Sequence, residues 1–400
     1  MSRTGGTGGP AAPSVWPARL VILVAFLDLF MQFPIVAPYA RSLGASPLMV
    51  GVVTAAYSAT NLIGNLVAGP LLDRWGRKRP VQMGLLMTAA ALVACAVART
   101  ADQLLMARVV HGVSAAVLTP GAFAMIGDVA GVDRRARAMG INGALIAAAA
   151  MSGPPVAGIL RDRLGAGVVF LLSATLMLVV AALFARRADD PGAASPRLPA
   201  TPSPGRRSPW SRPRLVAACL AALALTVSLG TLVTHLPVAL AARGEPSGRT
   251  GLAFTVYAVV AMAVMAGPPS RWSDRTDRFV PLAGGLTLVA VGMLVLGNAR
   301  AMGGVAAGMA VFGLGFGLLF PSAAALVAEA TERSERGAAF GIFYAVYSLG
   351  VVIGSVLSGA LGSWIPSAAE GPFLLGSTTA LLAVPALLLL RRRQAAQLAA

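Results

Sequence analysis

Asp28 stands in VAFLDLFMQFP, in the middle of an apolar run, with Gln32 one helical turn further along the same face. An ionisable side chain inside an apolar span is expensive and is a functional candidate by default. Desolvation disfavours the charged form of a carboxyl at that depth, which is the property a proton-coupling site requires. The competing reading pins Asp28 to a neighbouring helix for structure alone. Arg108 and His111 stand one turn apart in RVVHG. Arg108 keeps its proton at any relevant pH, so its chemistry is to bias a neighbour or hold an anion. His111 is a second candidate proton carrier, set against the plainer role of a hydrogen-bonded structural histidine. His235, in TLVTHLP, is expected near the end of its span.

Long apolar elements must position these groups. The 400 residues are 57% hydrophobic and 12% charged, with a mean hydropathy of +0.77. Twelve apolar runs recur, near 18–39, 47–71, 80–98, 102–127, 138–160, 167–186, 214–238, 249–270, 280–299, 301–328, 338–362 and 371–390. Each has about the length a helix needs to cross a hydrocarbon core of about 30 Å. They lack the alternation of barrel strands, so the fold class is all-α integral membrane. The first run carries Asp28 and lacks a small-residue cleavage site, so it is read as a span rather than a signal peptide.

A net charge of +17 does not indicate a nucleic-acid partner, because the arginines are spread over alternate loops. Placing both termini in the cytoplasm puts Arg74, Arg77, Lys78, Arg79, Arg134, Arg135, Arg275, Arg278 and Arg391–Arg393 inside. Only scattered arginines such as Arg41, Arg99, Arg243 and Arg300 are left outside, the pattern of positive-inside topology in a multi-pass inner (cytoplasmic) membrane protein. Cys95 and Cys219 lie in separate apolar runs and read as small buried hydrophobes. No phosphate-binding Gly-x-x-x-x-Gly-Lys loop, nucleophile–base pair or metal cluster is present in the sequence, so the chain is read as no enzyme and as needing no cofactor or metal.

The second half repeats the first at an offset of 201 residues. That shift carries Gly112 to Gly313, Pro120 to Pro321, Gly140 to Gly341, Gly153 to Gly354, Gly158 to Gly359, Asp73 to Asp274 and Arg77 to Arg278. An even number of spans separates the copies, so the halves have parallel orientation. The expected organisation is a disordered tail over 1–17, a six-helix bundle over 18–187, a Pro/Ser/Arg linker over 188–213, a second six-helix bundle over 214–391 and a tail over 392–400. Met309 stands at the repeat position of Arg108, so whatever Arg108 does is done once.

Between the second and third runs lies GPLLDRWGRKRP, from Gly69 to Pro80. Gly69 permits close helix approach, and Gly76 permits a turn where a Cβ would be strained. Asp73, Arg74, Arg77 and Lys78 concentrate charge at one end of a span, and Asp128 at the end of the fourth run is placed to hold Arg77. The second half offers Asp274, Arg278 and Glu329, with Asp277 where Gly76 stood. The plainer reading gives these charges topology alone.

The two-bundle architecture and this loop resemble the major facilitator superfamily, whose corresponding loop reads Gly-x-x-x-Asp-Arg-x-Gly-Arg-Arg/Lys. The resemblance implies two six-helix bundles with pseudo-two-fold symmetry, and a conformational latch at Asp73 and its neighbours that pairs with the opposite bundle in the outward-facing state. Arg108 and Gly112 match the family's Arg-x-x-x-Gly motif, which is linked there to proton transfer. AMSGPPVAGIL resembles its antiporter motif, with Gly153, Pro154 and Gly158 matching and Ala149 and Ala157 in place of two glycines. The resemblance thus points to the twelve-helix drug/proton antiporter branch.

Gln32, Asn61, Asn65, Asn142, Tyr344 and Tyr347, with Phe30, Phe33 and Phe312, are the expected substrate-cavity residues. The leading expectation is proton-coupled efflux of small amphipathic compounds by alternating access, with protons, a small molecule and the lipid bilayer as partners and no obligatory protein partner. An importer, symporter or facilitator of a polar metabolite or organic anion is the alternative. A receptor of the same fold would bind without proton flux.

Overall fold

The computed structural model describes residues 15–129, 135–188, 212–269, 275–332, 335–364 and 370–399. The expected tail over 1–17 lies mostly outside these residues, as do most of the linker over 188–213 and Asp274. The described residues form helices and no strands.

The first half contains α1 (Trp16–Met31), α2 (Val36–Ser42), α3 (Pro47–Arg74), α4 (Lys78–Val97), α5 (Ala101–Ala115), α6 (Leu118–Val129), α7 (Arg135–Leu164) and α8 (Ala166–Arg187). The second contains α9 (Pro213–Ala242), α10 (Ser247–Ala266), α11 (Phe279–Asn298), α12 (Met302–Glu329), α13 (Arg336–Trp364) and α14 (Gly371–Ala399). Among the described residues eleven helical stretches are long and apolar enough to cross a membrane, twelve if α1 and α2, bent by 49°, count as one span.

Two spans depart from the unbroken helices that the apolar runs predict, and a proline stands at or just after each break. Pro34 lacks an amide hydrogen and disfavours helix in the residue before it, so the first span breaks at residues 32–35. Gln32 thereby becomes the end cap of α1 inside the span. Pro120 stands just beyond the second break, between α5 and α6. Pro321, its repeat partner, sits inside an unbroken α12. The last helix also runs on through Arg391–Arg393 to Ala399, past the expected end of the second bundle at 391.

Each half closes around its own core. Ile22, Leu85, Leu92, Leu104, Phe170 and Phe184 fill the first, and Leu225, Leu286, Met293, Phe312 and Phe343 fill the second. Large apolar side chains cover the outside as well, with Leu66 70% and Leu382 73% exposed, as lipid-facing surfaces require.

The halves meet along α3 with α13 and α7 with α10. At the end of the molecule away from the termini this seam is tight. A Cβ on Gly359 would lie 2.5 Å from the Pro47 carbonyl oxygen, and one on Gly158 would overlap the Ser247 carbonyl and lie 2.8 Å from the Gly248 Cα. At the end that carries the termini, a Cβ on Gly69, Gly140, Gly143, Gly337 or Gly341 would meet nothing within 4 Å. The bundles are therefore closed against each other at one end and splayed at the other.

Candidate functional site

Side chains at the end of α1, just before the break at Pro34, reach those of α5 inside the first bundle. There Asp28, Gln32, Arg108 and His111 form a closed hydrogen-bonded ring, with residue exposures of 3%, 5%, 5% and 0%. Gln32 Nε2 donates to Asp28 Oδ1 at 2.7 Å, and Arg108 Nη1 donates to Gln32 Oε1. On the other side Arg108 Nη1 lies 3.2 Å from His111 Nδ1, and His111 Nε2 lies 2.9 Å from Asp28 Oδ2.

Donor chemistry fixes the direction of the ring. Guanidinium has no acceptor, so His111 Nδ1 must offer its lone pair to Arg108. The neutral imidazole then carries its hydrogen on Nε2 and donates it to Asp28. Every bond runs from Arg108, the source of hydrogens, to Asp28, the sink. Removing one member of such a buried charge pair costs about 3–5 kcal/mol, because the other charge is left uncompensated.

Tyr57 on α3 completes the site, and the sequence reading missed it. Its ring lies edge-on to His111 at 4.8 Å between centroids, and the Arg108 guanidinium stands 5.0 Å above it. Gly112 makes this approach possible, since a Cβ there would overlap the Thr60 hydroxyl and the Tyr57 carbonyl. Because the ring and not the hydroxyl makes these contacts, Tyr57→Phe is expected to leave transport within about twofold. Tyr57→Leu removes a cation–π contact worth about 1–2 kcal/mol and is expected to lower transport about tenfold. Initial transport rates of the two variants check this, and equal rates would remove Tyr57 from the site.

The repeat positions of Asp28, Gln32, Arg108 and His111 are Leu229, Val233, Met309 and Phe312, all buried and uncharged. Tyr257 lies edge-on to Phe312 at 5.6 Å, the counterpart of Tyr57 on His111. The second half thus keeps the packing of the site and none of its ionisable groups.

The other predicted residues are placed as follows. Arg77 Nε donates to Asp128 Oδ2 at 2.6 Å, and its Nη1 is 3.9 Å from Asp73 Oδ1. Asp73 is 61% exposed, and Arg74 is exposed beside it. Gly76 turns the chain with φ 75°, and Lys78 begins α4. In the second half Arg278 Nε is 3.2 Å from Glu329 Oε1. Both pairs lie within their own bundles, at the splayed end.

Asn61 donates to the Gly112 carbonyl at 3.2 Å and accepts from Asn65 at 2.9 Å, while Tyr344 is 51% exposed and Tyr347 half-buried. Three of the expected cavity residues lie elsewhere. Phe312 is fully buried under Tyr257, and Asn142 is fully buried with its amide 3.9 Å from Met139 Sδ. Gln32 belongs to the ring rather than to an open wall. Phe30 meets Phe33 edge-on, and Phe33 lies tilted against Phe254 of the other bundle with 5.5 Å between centroids. His235 lies edge-on to Phe373 at 5.1 Å.

Gly153 packs on α1, with the backbone nitrogen of Met31 3.2 Å from a Cβ placed on it, so this small residue lets α7 reach the helix that bears Asp28. Pro154 and Gly158 pack on α10. Just beyond, Asp162 caps that helix across the seam. Its Oδ1 accepts from the Ser247 amide at 2.8 Å and its Oδ2 from the Gly248 amide at 2.7 Å, while Arg161 donates to the Ser247 hydroxyl at 2.9 Å. Ser363, 201 residues on from Asp162, accepts from the Leu48 amide at 3.0 Å and caps α3 in the mirror position. Asp162→Ala is expected to weaken the closed end by about 1 kcal/mol, the usual cost of a lost helix cap. Faster labelling of a cysteine at Thr255, beside the seam, checks this, and unchanged labelling would contradict it.

The model of the Major Facilitator Superfamily matches residues 20–246 and 243–399. The chain belongs to the Major Facilitator Superfamily. This transporter is 30% identical over 162 residues to Multidrug resistance protein 1 of Bacillus subtilis, a match covering 40% of this chain and 41% of that one. It is 25% identical over 383 residues to Inner membrane transport protein YajR of Escherichia coli, covering 92% and 81%. It is 27% identical over 141 residues to Quinolone resistance protein NorA of Staphylococcus aureus, covering 35% and 36%. The matches to the resistance proteins thus span about two fifths of their length. Among solved structures, peptide transporter POT in complex with sulfate superposes with a TM-score of 0.78 at 16% identity, over 98% of this chain and 96% of that one. PepTSo, of the POT family, does so with 0.78 at 11% identity, over 96% and 98%. At such identity these two speak for the fold alone. The chain is a multi-pass membrane protein of a transporter family.

Proposed function

We propose that this transporter exports small amphipathic compounds across the inner (cytoplasmic) membrane in exchange for protons, with both termini in the cytoplasm. The ring of Asp28, Gln32, Arg108 and His111 is the observation that carries this reading. Each oxygen of Asp28 already faces a hydrogen, from Gln32 on one side and His111 on the other. A proton placed along either of these hydrogen bonds creates a donor–donor contact, and one placed elsewhere on the carboxyl weakens both bonds by removing the negative charge that they serve. If His111 moves its hydrogen to Nδ1, or Gln32 turns its amide over, a donor then faces Arg108. Protonation therefore opens the ring and loosens α1 from α5, a local event able to bias a two-state equilibrium.

With the termini inside, the splayed end faces the cytoplasm and the ring is closed on an ionised Asp28. Substrate enters in this state. The bundles then rock about the site, Asp28 takes a proton from the outer side, the substrate leaves, and the proton is released inside on return. In the outward-facing state the Gly69 face of α3 closes on the opposite bundle, and Asp73, exposed here, reaches a partner there. Pro154 and Gly158 form the outer seal, and Gly153 seats α7 on α1 behind it. The names of the relatives, which speak of multidrug and quinolone resistance, agree with export.

The test is proton movement in energised inside-out vesicles challenged with neutral, cationic and anionic aromatic compounds. Substrate-triggered release of protons from the vesicle lumen is the expected result. Solutes that equilibrate through the protein without any proton movement would overturn the reading and leave a facilitator.

A further inference from the structure

The membrane interior of this chain holds two opposite charges. Residues 20–40, 47–72, 80–98, 104–127, 138–160 and 166–185 contain one acid, Asp28, and one Arg or Lys, Arg108. Residues 215–241, 250–269, 279–298, 302–328, 337–364 and 371–390 contain no Asp, Glu, Lys or Arg. The two charges are joined through Gln32 and His111. Arg108 keeps its proton throughout, and with Nδ1 accepting from Arg108, His111 carries a single ring hydrogen, on Nε2. The site therefore has a net charge of zero when Asp28 is ionised and +1 when Asp28 is protonated. It never becomes negative.

The second half supplies a different surface. Where the first half has its ring, this half has Leu229, Val233, Met309 and Phe312. From there a ladder of aromatic rings crosses three helices. Tyr257 meets Phe316 edge-on at 5.4 Å, Phe316 stacks on Phe320 at 5.5 Å with 7° between planes, and Phe320 meets Tyr347 edge-on at 6.0 Å. Phe316, Phe320 and Tyr347 are half-buried, so their rings retain open surface.

We propose that the transported substrate is an uncharged aromatic compound, stacked on Phe316, Phe320 and Tyr347 of the second bundle while the first bundle handles the proton, and that lipophilic cations are not carried. This rests on the exchange reading given under Proposed function. A cation drawn into the closed site loses its water and finds no free counter-charge: the Asp28 charge is balanced by Arg108 in one state and absent in the other. Ring faces attract a cation, but less than desolvation of an unpaired ion costs it. An anion is favoured when Asp28 is protonated, and so would travel with the proton rather than against it. An uncharged ring system gains stacking and apolar burial in both states and needs no counter-charge.

A neutral molecule leaving as one proton enters moves one positive charge per cycle, so a membrane potential drives transport without a pH gradient. Exchange of a monovalent cation for one proton moves no net charge and ignores the potential.

The test uses the full chain in proteoliposomes with three probes: chloramphenicol as the neutral aromatic, tetraphenylphosphonium as the cation and benzoate as the anion. Either a pH gradient or a potassium-diffusion potential is imposed alone. Chloramphenicol is expected to accumulate at least fivefold over protein-free liposomes under each force. Tetraphenylphosphonium and benzoate are expected to stay within about twofold of the protein-free control. Phe316→Ala and Phe320→Ala are expected to raise the KM for chloramphenicol about tenfold, while proton exchange at saturating substrate persists. Accumulation of tetraphenylphosphonium driven by the pH gradient, and lost in Asp28→Asn, would overturn the substrate class and leave proton exchange standing. Chloramphenicol carried by facilitated exchange with no proton movement would uphold the class and overturn the exchange reading. Unchanged KM in both ladder variants would remove the substrate from that surface.

Discussion

Asp28→Asn is expected to lower proton-coupled transport at least a hundredfold while leaving the protein in the membrane. Asparagine keeps one acceptor oxygen for Gln32 or His111 and replaces the other with an amide that faces a hydrogen. One buried donor–donor contact costs about 1–3 kcal/mol, and Arg108 loses the only acidic partner within the span. The substitution therefore destabilises the fold, but its main effect is that position 28 no longer takes up or gives up a proton. The double variant Asp28→Asn with Arg108→Gln removes the uncompensated charge. It is expected to recover thermal stability relative to the single variant and to recover no proton coupling. Recovery of coupling along with stability would mean that the ring holds the helices together and nothing more. Initial rates of substrate-driven proton movement, paired with melting temperatures in detergent, separate the two roles.

Gly158→Val is expected to open the closed end of the molecule. A side chain at this position enters the space of the Ser247 carbonyl, which is backbone at the start of α10 and has no rotamer to escape into. Overpacking of this kind costs about 1–3 kcal/mol, and against backbone the upper part of the range applies. α7 and α10 must then separate, and the Asp162 cap on the Ser247 and Gly248 amides is lost with them. A cysteine at Thr255, whose hydroxyl donates across the seam to the Met151 carbonyl at 3.1 Å, reports the separation. With Cys95 and Cys219 replaced by alanine, labelling from the outer side by a membrane-impermeant maleimide should rise at least tenfold in Gly158→Val. Transport should fall by a similar factor, because one arm of the alternating cycle no longer closes. Unchanged labelling would show that the seam is not the barrier.

Much of this architecture was legible in the residues. The apolar runs correspond to the spans because a bilayer demands about twenty apolar residues from every crossing helix. The 201-residue repeat announced two bundles, and GPLLDRWGRKRP marked the end of α3 with its turn at Gly76. Asp28, Gln32, Arg108 and His111 stood out because ionisable and amide groups are rare in such runs.

What the sequence did not disclose was which of them meet. Spacing relates Asp28 to Gln32 on one helix, but the closing of the ring depends on how the first bundle sets α1 opposite α5, and on the break after Gln32 that Pro34 imposes. Tyr57 escaped notice because an aromatic on a membrane helix reads as lipid contact or packing, and its role arises from Gly112 on another helix. Asp162 was hidden for the opposite reason. Flanked by Arg161 and Arg163 at the end of a span, it reads as a solvated loop charge, whereas it caps a helix of the other bundle.

The central claim is that Asp28 exchanges its proton for substrate. The most direct measurement is the proton count on substrate binding to purified protein in weakly buffered detergent solution, near the midpoint of the pH profile of transport. If protonation opens the ring and substrate favours the closed one, binding releases a fraction of a proton approaching one per site as the pH is lowered, and Asp28→Asn binds the same compound with no release. Binding by the wild type without proton release at any pH, or equal release from Asp28→Asn, would contradict the account.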